Sequence, residues 1–168
     1  EHCYAQPLCT PSRVKIMTGI SNVRNYVRFG ILPPSQKTFG HIFREAGYST
    51  CIVGKWQLGK DPMSPRNAGF DEHCLWQVTK GRADETGRDT RFSGPVLETN
   101  GKLKRFAEDD FGPEIVSQYG LDFIERSHKN GHPFLLYYPM ILIHCPFSPT
   151  PNSGEWKDKS IVMTYKGQ

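Results

Sequence analysis

No apolar stretch in the 168 residues approaches the ~18 needed to span a bilayer, so the sequence holds no candidate membrane helix. No secretory signal opens the chain at Glu1, an absence that carries no information about destination. Arginine-rich runs are missing too. The 21 basic and 17 acidic residues leave a net charge of +4 spread along the chain, which helps attract sulfated or phosphorylated molecules but does not support nucleic-acid binding. The five cysteines, Cys3, Cys9, Cys51, Cys74 and Cys145, show neither regular spacing nor a Cys-x-x-Cys pair, which argues against zinc and against a small disulfide scaffold. Either they pair in an oxidising compartment or they are small buried hydrophobes, the commoner state for Cys51 inside its apolar run. The histidines form no His-x-x-x-His spacing, and His2, His41, His73, His128 and His132 fall in a predicted helix, in loops or near helix ends, where exposure is the default.

What is present concentrates at Cys9-Thr10-Pro11-Ser12-Arg13, where a thiol, a hydroxyl and an arginine lie within five residues. Thr10 suits an N-cap and Pro11 the first helical position, because a missing N–H costs nothing there. The helix is expected to start at Pro11, run through Val14, Ile16 and Met17, and stop at Gly19. Cys9 then lies just before a helix N-terminus, where free N–H groups favour negative charge. A lone Cys-x-Pro is more often an ordinary buried cysteine beside a capped helix.

Farther along, Phe39, Ile42, Phe43 and Ala46 recur at helical spacing before Gly47, predicting a helix over 38–46. Thr50-Cys51-Ile52-Val53 is a strand ending at Gly54-Lys55, which places Lys55 at a carboxyl strand end, the edge where open α/β sheets bind ligands. Residues 60–111 lack clean periodicity and read as long loops with short strands around Leu75–Val78 and Val96–Glu98. A helix from Pro113 to about Ser127 precedes the continuous apolar run Phe134–Tyr138, expected of a strand covered on both faces. The β-α alternation predicts an α/β fold with a doubly wound, mostly parallel sheet. Trp56, Trp76 and Trp156 are expected to be half-buried, with stacking on a sugar the less common role.

Cys9-Thr10-Pro11-Ser12-Arg13 with Met17-Thr18-Gly19 resembles the signature of the type I sulfatases, whose cysteine is converted after translation to formylglycine. Gly54-Lys55-Trp56-Gln57-Leu58-Gly59 resembles their second signature, usually Gly-Lys-Trp-His-Leu-Gly. Gly69-Phe70-Asp71 is similar to a common family landmark, and Pro133–Tyr138 leading to His144-Cys145-Pro146-Phe147 is similar to the strand and loop that carry a catalytic histidine. The matches run in order across most of residues 1–151.

The resemblance implies an alkaline-phosphatase-like fold and places residues 1–168 as a partial sulfatase catalytic domain. The family's acidic pair before the cysteine and its Asp-Asn pair after the histidine are not found. Asp109-Asp110 is out of order for either role and reads as a solvated stretch near a helix start. Tyr165-Lys166-Gly167 faintly resembles the turn carrying a late sulfate-binding lysine; a plain exposed lysine is the simpler reading. By resemblance, residue 9 as formylglycine is the nucleophile and one ligand of a divalent cation, calcium in many members. Arg13 and Lys55 stabilise it and the sulfuryl oxygens, and His144 protonates the leaving alcohol. The segment 60–111 helps form the substrate pocket. The implied partners are a sulfated small molecule or glycan and a formylglycine-generating maturation enzyme, in a periplasmic or secreted setting.

Gln57 departs from the family pattern, because an amide can hydrogen-bond the nucleophile but cannot accept its proton. Another group or water acts as base, or glutamine marks a subfamily with different substrate contacts, or activity is reduced; the intact remainder of the motif favours the second. Two other functions stay open: a phosphonate monoester or phosphodiester hydrolase built on the same fold, and a degenerate sulfatase-like binding protein.

Overall fold

The computed structural model describes residues 5–158. In chain order the elements are α1 (Cys9–Thr18), α2 (Asn22–Asn25), α3 (Phe39–Glu45), β1 (Ser49–Lys55), α4 (Ser64–Asn67), β2 (Glu72–Trp76), β3 (Val96–Thr99), β4 (Lys102–Arg105), α5 (Gly112–Lys129) and β5 (Phe134–Tyr137), followed by a short 3-10 turn at Gly154–Lys157. The strands form one five-stranded sheet in the order β4-β3-β2-β1-β5.

Side-chain alternation on the central strand explains why both faces are covered. Ile52 faces a cluster with Val14 and Met17 of α1, Trp56, Phe70 and Leu75. Its neighbours Cys51 and Val53 face the opposite way, into a second cluster with Cys74, Trp76, Leu97, and Val116 and Phe123 of α5. Helices therefore pack on the two sides of β1, the doubly wound arrangement expected. The sheet is mixed: β1 runs parallel to β2 and β5, while β2–β3 and β3–β4 are antiparallel.

The strand β4 was not expected, because Lys102, Leu103, Lys104 and Arg105 are all exposed and show no apolar alternation. Its signal is the turn before it. Asn100 and Gly101 both adopt positive φ, 49° and 80°, the conformation an Asn-Gly hairpin turn requires. β5 also differs from expectation. It lies at the sheet edge, and Phe134 remains 38% exposed.

The helix α1 begins at Cys9, two residues earlier than Pro11. Pro11 fits any first-turn position, since none of those N–H groups has an intrahelical partner. Thr10 is not the cap. Its buried hydroxyl accepts from Gly30 N–H at 3.1 Å and so docks the following loop onto the helix. At the other end Gly19 takes the left-handed conformation (φ 68°) and closes the helix on the Lys15 carbonyl.

His73 lies on β2 rather than in a loop and is almost fully buried. Trp56 and Trp76 are fully buried rather than half-buried. Their indole N–H groups donate to Ser64 and Thr90. Cys51 and Cys74 are free and buried, and burial pushes both thiols up from their ordinary value. Cys3 and Lys166 lie outside the described residues. No helix among the described residues is long and apolar enough to cross a membrane.

Candidate active site

The first turn of α1, the end of β1 and the loop after β5 meet around one cleft of about 370 Å³, lined by Cys9, Arg13, Lys55, Tyr137 and the run from Tyr138 to His144. Cys9 and Arg13 are one helical turn apart and share a face of α1. Lys55 arrives from the last residue of β1. Its strand is held against the loop by the Lys55 N–H to Pro139 carbonyl bond at 2.8 Å. Gly54 permits that approach: it has φ 110°, and a Cβ there would overlap the Pro139 carbonyl.

Arg13 is 8% exposed, and its Nη1 donates to the Lys55 carbonyl at 3.1 Å and to the Trp56 carbonyl. Its Nε and Nη2 are buried without a partner. Lys55 is 9% exposed. Neither side chain forms an ion pair with a carboxylate among the described residues. Burial is the main force lowering the proton affinity of both groups; for Lys55 the Arg13 charge lowers it further, while Cys9 opposes the trend for each. Two poorly compensated cations thus stand beside residue 9. Burial also raises the Tyr137 phenol, a shift the Arg13 charge opposes.

Gln57 sits in the left-handed region (φ 48°), fixed by its N–H to the Gln77 carbonyl at 3.0 Å. That conformation turns its Oε1 to within 3.5 Å of the Cys9 Sγ, which donates to it. His144 Nδ1 lies 2.7 Å from the Cys145 carbonyl. A carbonyl only accepts, so Nδ1 is the donor in this contact, and Nε2 is the ring nitrogen left for another partner.

The structure thus brings Cys9, Arg13, Lys55 and His144 to one cleft and sets Gln57 against Cys9. Side chains of 60–111 do not line it. Instead they reach it from behind through Asp89 and Arg91, which the sequence reading did not single out. An Asp-x-Arg in a long loop carries no periodic signal.

The donor set was tested against a divalent cation. Among the described residues no three His, Cys, Asp or Glu side chains come together, and a hard cation needs six or so oxygen ligands. The residues present do not build that coordination shell, so the chemistry below is not routed through a metal. Asp110 is occupied differently, accepting from the Ala107 N–H ahead of α5.

Comparison with known proteins identifies the family and the fold. The Sulfatase family model matches residues 1–161. Human N-acetylgalactosamine-6-sulfatase is 31% identical over 184 residues, covering 92% of this chain and 35% of that protein. Arylsulfatase G of Rattus norvegicus is 29% identical, covering 88% and 34%. The chain thus spans about a third of the length of the curated relatives it matches. The solved structure of BT4656 in complex with its substrate D-glucosamine-2-N,6-O-disulfate superimposes with a TM-score of 0.69 at 27% identity, covering 89% of this chain and 28% of that one. PsFucS1 sulfatase from Pseudoalteromonas sp. shares the fold with a TM-score of 0.67 at 20% identity, covering 95% and 38%. With the family model matching nearly the whole sequence, the chain belongs to the sulfatase family.

Proposed function

We propose that this cleft hydrolyses sulfate monoesters and that residues 1–168 form part of a sulfatase catalytic domain. One observation carries the reading. Among the described residues Arg13 and Lys55 are buried beside residue 9 without a carboxylate, and two guanidinium nitrogens have no acceptor. Burying cations this way is costly unless an anion completes the site. A tetrahedral oxyanion supplies the missing acceptors.

Residue 9 is present as cysteine, and its sulfur marks where the modified group stands. Oxidative conversion by a maturation enzyme replaces the thiol with the aldehyde of formylglycine, whose hydrate supplies a hydroxyl for attack on sulfur. Arg13 Nε and Nη2 donate to the sulfuryl oxygens, and Lys55 adds a point charge where negative charge accumulates. Gln57 Oε1 accepts a hydrogen bond from residue 9 and orients it, and the proton the hydroxyl loses on attack passes to water, since an amide cannot take it. The His144 Nε2–H protonates the alcohol oxygen as the S–O bond breaks, while the Cys145 carbonyl holds the other ring nitrogen. A divalent cation of the kind the family uses would be held in part by residue 9 and would supply charge stabilisation for the sulfuryl oxygens; among the described residues no acidic cluster completes its shell.

The relatives' names direct the substrate reading to sulfated amino sugars, within the broader class of sulfated small molecules and glycans. A periplasmic or secreted location goes with that reading. Gln57 beside Cys9 keeps a second reading open, a sulfatase-like protein that binds its anion without turnover. The same cradle also accommodates a phosphonate monoester or phosphodiester.

The test uses the full-length protein matured in its host, assayed on an aryl sulfate and an aryl phosphonate with and without calcium. Turnover of the sulfate supports the proposal, preference for the phosphonate replaces it, and no turnover of either leaves the binding protein. The intact mass of the peptide containing Cys9 reports the aldehyde directly; an unconverted thiol in an active preparation would contradict the mechanism.

A further inference from the structure

Arg91 lies outside the cleft lining yet is among the most buried side chains, at 2% exposure. Three sets of contacts fix it. Its Nε donates to Asp89 Oδ1 at 2.9 Å and Oδ2 at 3.1 Å, and its Nη2 donates to Oδ2 at 2.8 Å. Its guanidinium carbon is 4.4 Å from the centre of the Trp76 ring and 5.4 Å from that of Phe92. Its remaining terminal nitrogen, Nη1, reaches the His144 carbonyl at 3.5 Å.

These contacts join the two sides of the site. Trp76 pairs with Lys55 in the β1–β2 register, and the Lys55 Nζ lies 6.0 Å from the Trp76 ring centre. Trp76 is itself pinned by its indole N–H to Thr90 Oγ1 at 3.1 Å, from the residue between Asp89 and Arg91. His144, in contrast, sits on an irregular run whose preceding residue, Ile143, is 85% exposed. Its backbone has little packing of its own, and Arg91 holds it from behind.

We infer that Arg91, clamped by Asp89 and stacked on Trp76, is a positioning residue that holds the His144 backbone so that the imidazole meets the departing alcohol oxygen. The inference rests on the proposed role of His144. In that step the S–O bond to the alcohol breaks, its electron pair stays on the alcohol oxygen, and the Nε2 proton transfers there, while the sulfuryl group passes to the residue 9 hydroxyl oxygen, whose own proton is released to water. Misplacing the acid leaves the nucleophile in place, and any change passed to Lys55 through Trp76 falls on all substrates alike. The damage therefore depends on how much the leaving group needs a proton.

The experiment measures kcat/KM of matured, full-length enzyme over substituted phenyl sulfates from phenyl to 4-nitrophenyl, for wild type, Arg91→Met, Arg91→Lys and Asp89→Asn. Arg91→Met is expected to lose roughly 10–100-fold more on phenyl sulfate than on 4-nitrophenyl sulfate, because general-acid assistance of roughly 10²–10⁴-fold matters least for a good leaving group. Arg91→Lys should fall between Arg91→Met and wild type. On a His144→Ala background, Arg91→Met should add no further steepening. Equal losses across the series, or steepening that persists without His144, would overturn the inference. If Arg91→Met does not fold by its thermal melt, Arg91→Lys and Asp89→Asn read the same slope. Wild type that cleaves none of the series sinks the proposed function itself, a failure visible before any variant is made.

Discussion

Two buried arginines face the same physical problem and solve it differently. Arg91 has its carboxylate, Asp89, and two aromatic rings against its guanidinium. Arg13 has backbone carbonyls on one nitrogen and, among the described residues, no hydrogen-bond acceptor on the other two. A charge whose compensation is built in belongs to the scaffold, whereas one left incomplete stores affinity for an anion yet to arrive. His73 shows a third solution. It sheds its charge: burial depresses its pKa to about 4, and its Nε2 accepts from the Gly101 N–H at 3.2 Å.

Breaking the built-in pair should have the largest effect. Asp89→Ala strands the Arg91 charge and is expected to cost about 3–5 kcal/mol of stability, measured by urea unfolding of the full-length protein. A loss below ~1 kcal/mol would show that the pair is solvated after all. Arg13→Met should separate function from stability. Its kcat/KM on an aryl sulfate should fall roughly 10²–10³-fold, about 3–4 kcal/mol of transition-state stabilisation. The urea midpoint should move little, because relief from burying the cation offsets two carbonyls losing a donor. Inorganic sulfate should raise the melting temperature of wild type and not of Arg13→Met.

His73 predicts a pH dependence with a definite sign. Its folded pKa of about 4 lies below the ordinary 6.5, so between these values the unfolded chain binds more protons than the folded one. Stability is fully present above pH 6.5 and falls as pH drops toward 4, by about 3 kcal/mol in all. Urea titrations across this range should show the slope in wild type and lose it in His73→Phe. The smallest effect belongs to the exposed Lys37–Glu45 pair, 59% and 60% accessible. Lys37→Ala should leave the unfolding midpoint unchanged within error, because water and salt screen such a pair.

Legibility followed the range of the interactions involved. The β1 strand and α5 helix were readable because burial on a two-residue or helical period is written into local spacing. The closeness of Cys9 and Arg13 in the chain was readable, but their shared helix face was not, because the helix was expected to start at Pro11 and starts at Cys9. β4 escaped because its side chains face solvent, although the Asn100-Gly101 turn announced it. The start of α1 shifted because Thr10 spends its hydroxyl on Gly30, a partner 20 residues away. Arg91 was anonymous for the same reason: its partners include His144, 53 residues on, and the Trp76 ring.

By itself the sequence determined which chemistry is available: a modifiable cysteine at a helix start, an arginine one turn later, a lysine at a strand end, an amide in place of the usual histidine, and a histidine on a late loop. Local propensity and side-chain chemistry are enough to place these groups; that the cysteine is modifiable and that the amide stands for a histidine come from the resemblance to the sulfatase signatures. Only the tertiary structure decided which charges find partners. It set Arg91 against Asp89, left Arg13 and Lys55 without a carboxylate among the described residues, and buried His73 so that its pKa falls to about 4. Compensation of a buried charge is a long-range property, since desolvation depends on every element packed around the group and not on its neighbours in the chain.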